Sequence, residues 1–142
     1  MPQSSVYIKL LKTNYMTVFI LLQDYSFSYF LKSNTANAVL NITGTAVTDP
    51  SRSIPLQPGW NMIGNPYPKE SALRNTYIRK TDTGELKSYE DAVIAGWVGN
   101  SLYSFNGSTY DFTLYTDATL KLWQGYWISV LQGGQYELII YR

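Results

Sequence analysis

The residues of this chain best equipped to recognise a ligand are aromatic. Trp60, Trp97, Trp123 and Trp127, with Tyr67, Tyr103, Tyr110 and Tyr126, offer flat π-faces on which sugar rings can stack. Asn61, Asn65, Gln124 and Asp111 are polar groups suited to bonding the hydroxyls of such a ligand. The candidate ligand-binding residues are therefore Trp60, Asn61, Asn65, Tyr67, Trp97 and Trp127, and the implied ligand is a polysaccharide. A structural alternative stands beside this one. Trp60, Trp97 and Trp127 sit beside Gly or within alternating apolar strands, and large aromatics are the main means by which a small β-domain buries area. For any single ring the core is the favoured place. Asn61 and Asn65 flank a strand end, where an amide bonds the neighbouring backbone and holds a sharp turn.

Chemistry beyond binding has little to work with. The 142 residues include no His and no Cys, which excludes Ser-His-Asp and Cys-His catalysis, an imidazole general base, thiolate chemistry and ordinary His- or Cys-based metal sites. Glu90 and Asp91 are adjacent on an expected helix and diverge, and Asp111 and Asp117 are isolated in sequence, so no glycosidase-like carboxylate pair stands out. No Asp-x-Asp-x-Asp loop offers calcium ligands. No catalytic residue, metal or cofactor is assigned. With 11 Lys plus Arg against 10 Asp plus Glu, the chain has no field to steer a polyanion, and nucleic acid is not an expected partner. Its longest apolar run, Met16 to Leu22, is too short for a membrane-spanning helix, and no small-residue cleavage site follows it. It reads as a buried strand.

The elements that must carry these side chains are strands. Short segments rich in Val, Ile, Thr, Tyr, Phe and Trp alternate with Gly, Pro, Asn and Asp, and a helical period almost nowhere persists for three turns. Asn106-Gly107 fits a two-residue type I′ loop, which would oppose Phe105 to Ser108, Tyr103 to Tyr110 and Ser101 to Phe112. Tyr103, Phe105, Tyr110 and Phe112 would then share one face. Pro58-Gly59 suits a type II turn between two strands, and Asp82-Thr83-Gly84 a further hairpin. Ser88 with Asp91 three residues on predicts a helix start, and Gly96 its end.

Two stretches look like copies of one another: Tyr25 to Ser33 followed by Ala38 to Ile42, and Leu122 to Val130 followed by Tyr136 to Tyr141. They read as one hairpin written twice, as in modules cut from a tandem array.

The run Leu56-Gln57-Pro58-Gly59-Trp60-Asn61-Met62-Ile63-Gly64-Asn65-Pro66 resembles an L-x-P-G-W-N-L-I-G-N-P signature that recurs in large bacterial secreted and cell-surface proteins. Ala92 to Trp97, Leu102 to Gly107 and Leu122-Trp123-Gln124-Gly125-Tyr126-Trp127-Ile128 are similar to the rest of that module, which ends in L-x-P-W-Q-G-Y-W-V. The likeness covers about residues 52–142 and departs from the pattern at Lys121-Leu122, where a Pro usually precedes the Trp. It implies a β-rich module of adhesive or surface-layer proteins, placed extracellularly or at the cell surface, and it implies no activity.

The expected fold is all-β, a sandwich or barrel of short antiparallel strands with one short helix at about residues 89–95. Residues 1–142 are read as a single β domain, with 1–50 a half-unit from a preceding repeat and 51–142 the signature-bearing module. The expected function is that of a non-enzymatic structural or interaction module that associates with itself, into a filament or layer, or with other surface proteins. The alternative is a carbohydrate-binding module using exposed Trp and Tyr.

Overall fold

A computed structural model of the protein describes residues 47–142 throughout and, before them, the backbones of four strands. These are β1 (Ser4–Lys9), β2 (Tyr15–Leu22), β3 (Tyr25–Lys32) and β4 (Val39–Gly44). There follow β5 (Ser51–Leu56), β6 (Gly59–Gly64), β7 (Ser71–Ala72), a 3-10 turn (Leu73–Asn75), β8 (Tyr77–Lys80) and β9 (Leu86–Ser88). A single α-helix, α1 (Tyr89–Ile94), leads into β10 (Ser101–Phe105), β11 (Tyr110–Leu114), β12 (Thr119–Leu120), β13 (Gly125–Val130) and β14 (Tyr136–Tyr141). The fold is all-β and sandwich-like, as the strand patterning predicts.

Two four-stranded antiparallel sheets dominate, ordered β11-β10-β13-β6 and β5-β14-β8-β9. Their period-2 alternation aims one set of side chains inward from each. Ile63, Leu102, Tyr126, Ile128 and Val130 of the first sheet meet Ile54, Leu56, Ile78, Leu138 and Ile140 of the second in one buried cluster. Each fully buried aliphatic side chain there contributes roughly 1.5–3 kcal/mol relative to exposure. Leu73 and Leu120, beside the short β7–β12 ladder, close one end of the core. Among the described residues no helix is long and apolar enough to cross a membrane.

Local turn chemistry follows the sequence closely at α1. The Ser88 hydroxyl oxygen accepts from the Asp91 N–H, and it donates to the Asp91 carboxylate. At the other end Gly96 takes φ +69°, donates to the Val93 carbonyl, and is followed by Trp97 N–H donating to Ala92, a Schellman closure. Gly84, at φ +73°, donates to the Lys80 carbonyl and joins β8 to β9 as expected.

Three pairing expectations are corrected. First, the copied segments are not hairpins. β13 pairs with β6 and β10, while β14 pairs with β5 and β8, so the chain crosses from one sheet to the other between them. The earlier copy behaves alike, with β3 pairing β2 and β4 pairing β1. The physical reason is that β13 and β14 are central strands, and each needs two neighbours that a hairpin partner would displace. Secondly, Pro58-Gly59 turns the chain from β5 to β6 across the sandwich and closes no hairpin. Thirdly, β10 and β11 pair as Phe105↔Tyr110, Tyr103↔Phe112 and Ser101↔Leu114, two residues from the expected register. Asn106 lengthens the loop, because its Oδ1 accepts from both Ser108 and Thr109 N–H and its N–H donates to the Thr109 carbonyl. A shift of two leaves the facing of every side chain unchanged.

Candidate functional site

The outer face of the β11-β10-β13-β6 sheet is built almost wholly from large apolar side chains. β6 supplies Trp60 and Met62, β13 supplies Trp127, β10 supplies Tyr103 and Phe105, and β11 supplies Tyr110 and Phe112; the pairs Trp127↔Met62, Tyr103↔Trp127 and Tyr103↔Phe112 place them side by side. Trp60 is opposite the small Ser129, which leaves its ring room to reach over β13 to Tyr103. The two rings meet edge-to-face, with centroids 5.1 Å apart and planes at 89°. Tyr103 continues to Phe112 at 5.9 Å and 38°, and Phe105 meets Tyr110 at 5.1 Å and 49°. Trp60, Tyr103, Tyr110 and Trp127 line a cleft of about 440 Å³.

Water reaches much of this face. Trp60 is 58% exposed, Tyr110 53% and Phe112 65%, values well above those of a core ring. The opposite sheet's outer face is different in kind: there Arg79 Nε donates to the Glu137 carboxylate at 3.1 Å, and Tyr77 packs against Tyr141. Tyr77 and Tyr141 are partly exposed there as well, but the connected run of rings from Trp60 through Tyr103 to Phe112 belongs to the first sheet.

The structure divides the six sequence-predicted residues. Trp60 and Trp127 come together at the cleft. The other four hold the scaffold. Asn61 clamps the Pro58-Gly59 turn: its Oδ1 accepts from Gln57 N–H at 2.8 Å, and its Nδ2 donates to the Gln57 and Gly59 carbonyls. Asn65 is buried, donates to the Lys69 and Leu120 carbonyls and accepts from Tyr67 N–H. Tyr67 is buried too, its hydroxyl donating to the Asp49 carbonyl and its pKa raised mainly by desolvation. Trp97 lies in the core beneath two cations, with Lys80 Nζ 4.7 Å and Lys87 Nζ 5.0 Å from its ring centroid.

Trp123, outside that set, is 40% exposed and stands at φ +59° in the turn before β13, a left-handed conformation rare for an aromatic residue. Sequence reasoning grouped Tyr103 and Tyr110 with Trp60 and Trp127 by residue type alone, mixed with core rings, and left Phe105 and Phe112 out of that group. The available signal was alternation: Trp60 and Met62 share a parity on β6, as do Trp127 and Ser129 on β13. Among the described residues no group of three or more Asp and Glu gathers where it could hold a metal ion. Comparison with protein-family models, with curated proteins and with solved structures found no match.

Proposed function

We propose that this chain is a non-enzymatic contact module of an extracellular or cell-surface assembly, which joins copies of itself, or other surface proteins, through the aromatic face of the β11-β10-β13-β6 sheet. The observation that carries this is the exposure of Trp60, Tyr110 and Phe112 on one face of a well-packed sandwich. Contiguous exposed aromatic surface is unfavourable in water unless a partner covers it, and aromatic side chains are enriched in interface cores. The Gly-Trp-Asn signature supports the surface location through its resemblance to modules of bacterial secreted proteins. Concentration-dependent sedimentation velocity, with electron microscopy of the concentrated protein, tests the proposal. Assembly that strengthens with concentration and weakens in Trp60→Ala supports it; a strict monomer that captures no other surface protein refutes it.

The cleft favours a second reading, a carbohydrate-binding module with Trp60 and Trp127 as its rings. Sugar platforms use rings lying in one plane, whereas Trp60 and Tyr103 stand at 89° and the amides of Asn61 and Asn65 are spent on backbone. Isothermal titration against polysaccharides separates the two readings, since saturable heat abolished by Trp60→Ala without unfolding would favour the sugar.

A further inference from the structure

The two large sheets have four edges, and among the described strands three carry features that discourage strand addition. β5 contains Pro55, which lacks an N–H, and Arg52. β9 has only three residues, and its Lys87 turns its charge in over Trp97. The backbone of β3 comes close to β6. The fourth, β11, has none of these. Its sequence Tyr110-Asp111-Phe112-Thr113-Leu114 contains no Pro and no Lys, and every residue is exposed. Its single charge, Asp111, is held by Asn106 Nδ2 at 3.0 Å.

The ladder also fixes which backbone groups are free. Asn106 N–H donates to Thr109 O and Tyr115 N–H to Asn100 O, so in an alternating antiparallel ladder residues 109, 111, 113 and 115 turn their backbone groups toward β10. The N–H and C=O of Tyr110 and Phe112 and the N–H of Leu114 therefore point outward, while the Leu114 carbonyl accepts from Asp117 and Ala118 N–H in the turn that follows.

We infer that β11 is a self-recognition edge: a second copy of this chain adds its own β11 antiparallel to the first, about a two-fold axis at Phe112. This rests on the self-association proposed above and names the strand that performs it. The occupant follows from self-complementarity. With Phe112 opposite Phe112, Tyr110 meets Leu114 and Asp111 meets Thr113, whose hydroxyl can donate to the carboxylate. Phe112 N–H meets the partner's Phe112 carbonyl in both directions, and each Leu114 N–H meets a Tyr110 carbonyl, while the Leu114 carbonyl stays with the turn. Of the two neighbouring registers that also keep the aromatic faces aligned, one sets Asp111 against Asp111, a like-charge pair that is disfavoured, and the other, centred on Thr113, sets Tyr110 opposite Thr116 in the turn beyond the strand and so shortens the ladder. Pairing in this way joins the two aromatic faces into one continuous sheet surface. Each copy spends its unprotected edge, so this contact closes as a two-fold dimer, and growth into a filament needs a second contact elsewhere.

Sedimentation of the whole chain and its variants across a dilution series tests the inference. The wild type is expected to dimerise, and Phe112→Lys to raise the dimer dissociation constant by about tenfold or more while the unfolding midpoint stays near that of the wild type. Leu114→Lys, also at an exposed position, should do the same and serves if Phe112→Lys folds poorly. A wild-type monomer overturns both the edge and the self-association it rests on. A dimer that both lysine variants leave intact overturns the edge alone. The register is read separately: Asp111→Cys mixed with Thr113→Cys in oxidised glutathione should give the mixed disulfide, because this chain has no other thiol. Asp111→Cys linking to itself in preference overturns the Phe112 axis.

Discussion

Asn65→Ala should unfold this protein far more easily than its small volume change suggests. Asn65 is 6% exposed and makes three hydrogen bonds, two donated by Nδ2 to Lys69 O (2.6 Å) and Leu120 O (2.9 Å) and one accepted by Oδ1 from Tyr67 N–H (3.0 Å). The partners differ in what they can do afterwards. Lys69 is exposed, so its carbonyl can turn to water. Leu120 and Tyr67 are 0% and 2% exposed, so truncation strands a buried acceptor and a buried donor. Each such group costs about 1–3 kcal/mol, giving a total of about 2–5 kcal/mol after partial relaxation. For a domain with a typical 5–15 kcal/mol of stability that is a large fraction, equivalent to a fall of roughly 6–15 °C in Tm. Urea unfolding followed by tryptophan fluorescence measures it, with Trp60→Ala as the contrasting variant. Trp60 is exposed, and its loss should cost no more than about 1 kcal/mol. If Asn65→Ala falls within about 0.5 kcal/mol of the wild type, the buried amide does not hold the β6 exit to β12 and the reasoning fails.

Three further outcomes are expected. Tyr136→Phe should be neutral or stabilise by up to about 1 kcal/mol in a thermal melt, because the Tyr136 hydroxyl is buried with no partner among the described residues. Trp97→Ala should cost about 3–5 kcal/mol in urea unfolding, since it empties a core site and removes the ring on which Lys80 and Lys87 rest. Stability should fall as pH rises above about 10. Desolvation raises the pKa of Tyr89, whose hydroxyl donates to the Gly99 carbonyl, so the unfolded chain releases that proton first and ionisation favours unfolding. The slope approaches about 1.4 kcal/mol per pH unit for that group, and Tyr89→Phe should flatten it in a pH series of urea midpoints.

What could be read from the sequence is what neighbouring residues decide. The α1 cap, its Schellman closure and the β8–β9 turn each depend on residues within a few positions of one another, and Ser88, Asp91, Gly96 and Gly84 behave as their types require. Even the wrong β10–β11 register preserved the facing of Tyr103 and Phe112, because a two-residue error keeps the parity of the strand. The misreading came from an asparagine. Asn106 beside Gly107 suits a tight type I′ loop, but its Oδ1 captures two following amides and lengthens the loop.

Partner choice between distant strands was not legible, and the copied segments show why. The stretch from Trp127 to Ile140 has the spacing of a hairpin, yet its two strands lie in different sheets, because each sheet needs an apolar central strand more than the local turn needs closure. The same limit applied to the candidate site. Asn61 and Trp60 are adjacent in sequence and have opposite roles, the amide turned back on Gln57 and the ring turned out toward Tyr103. Residue type alone put both in one binding set. Strand parity separates them, and the same parity joins Trp60 to Phe112 across four strands on a face that only the sheet order assembles.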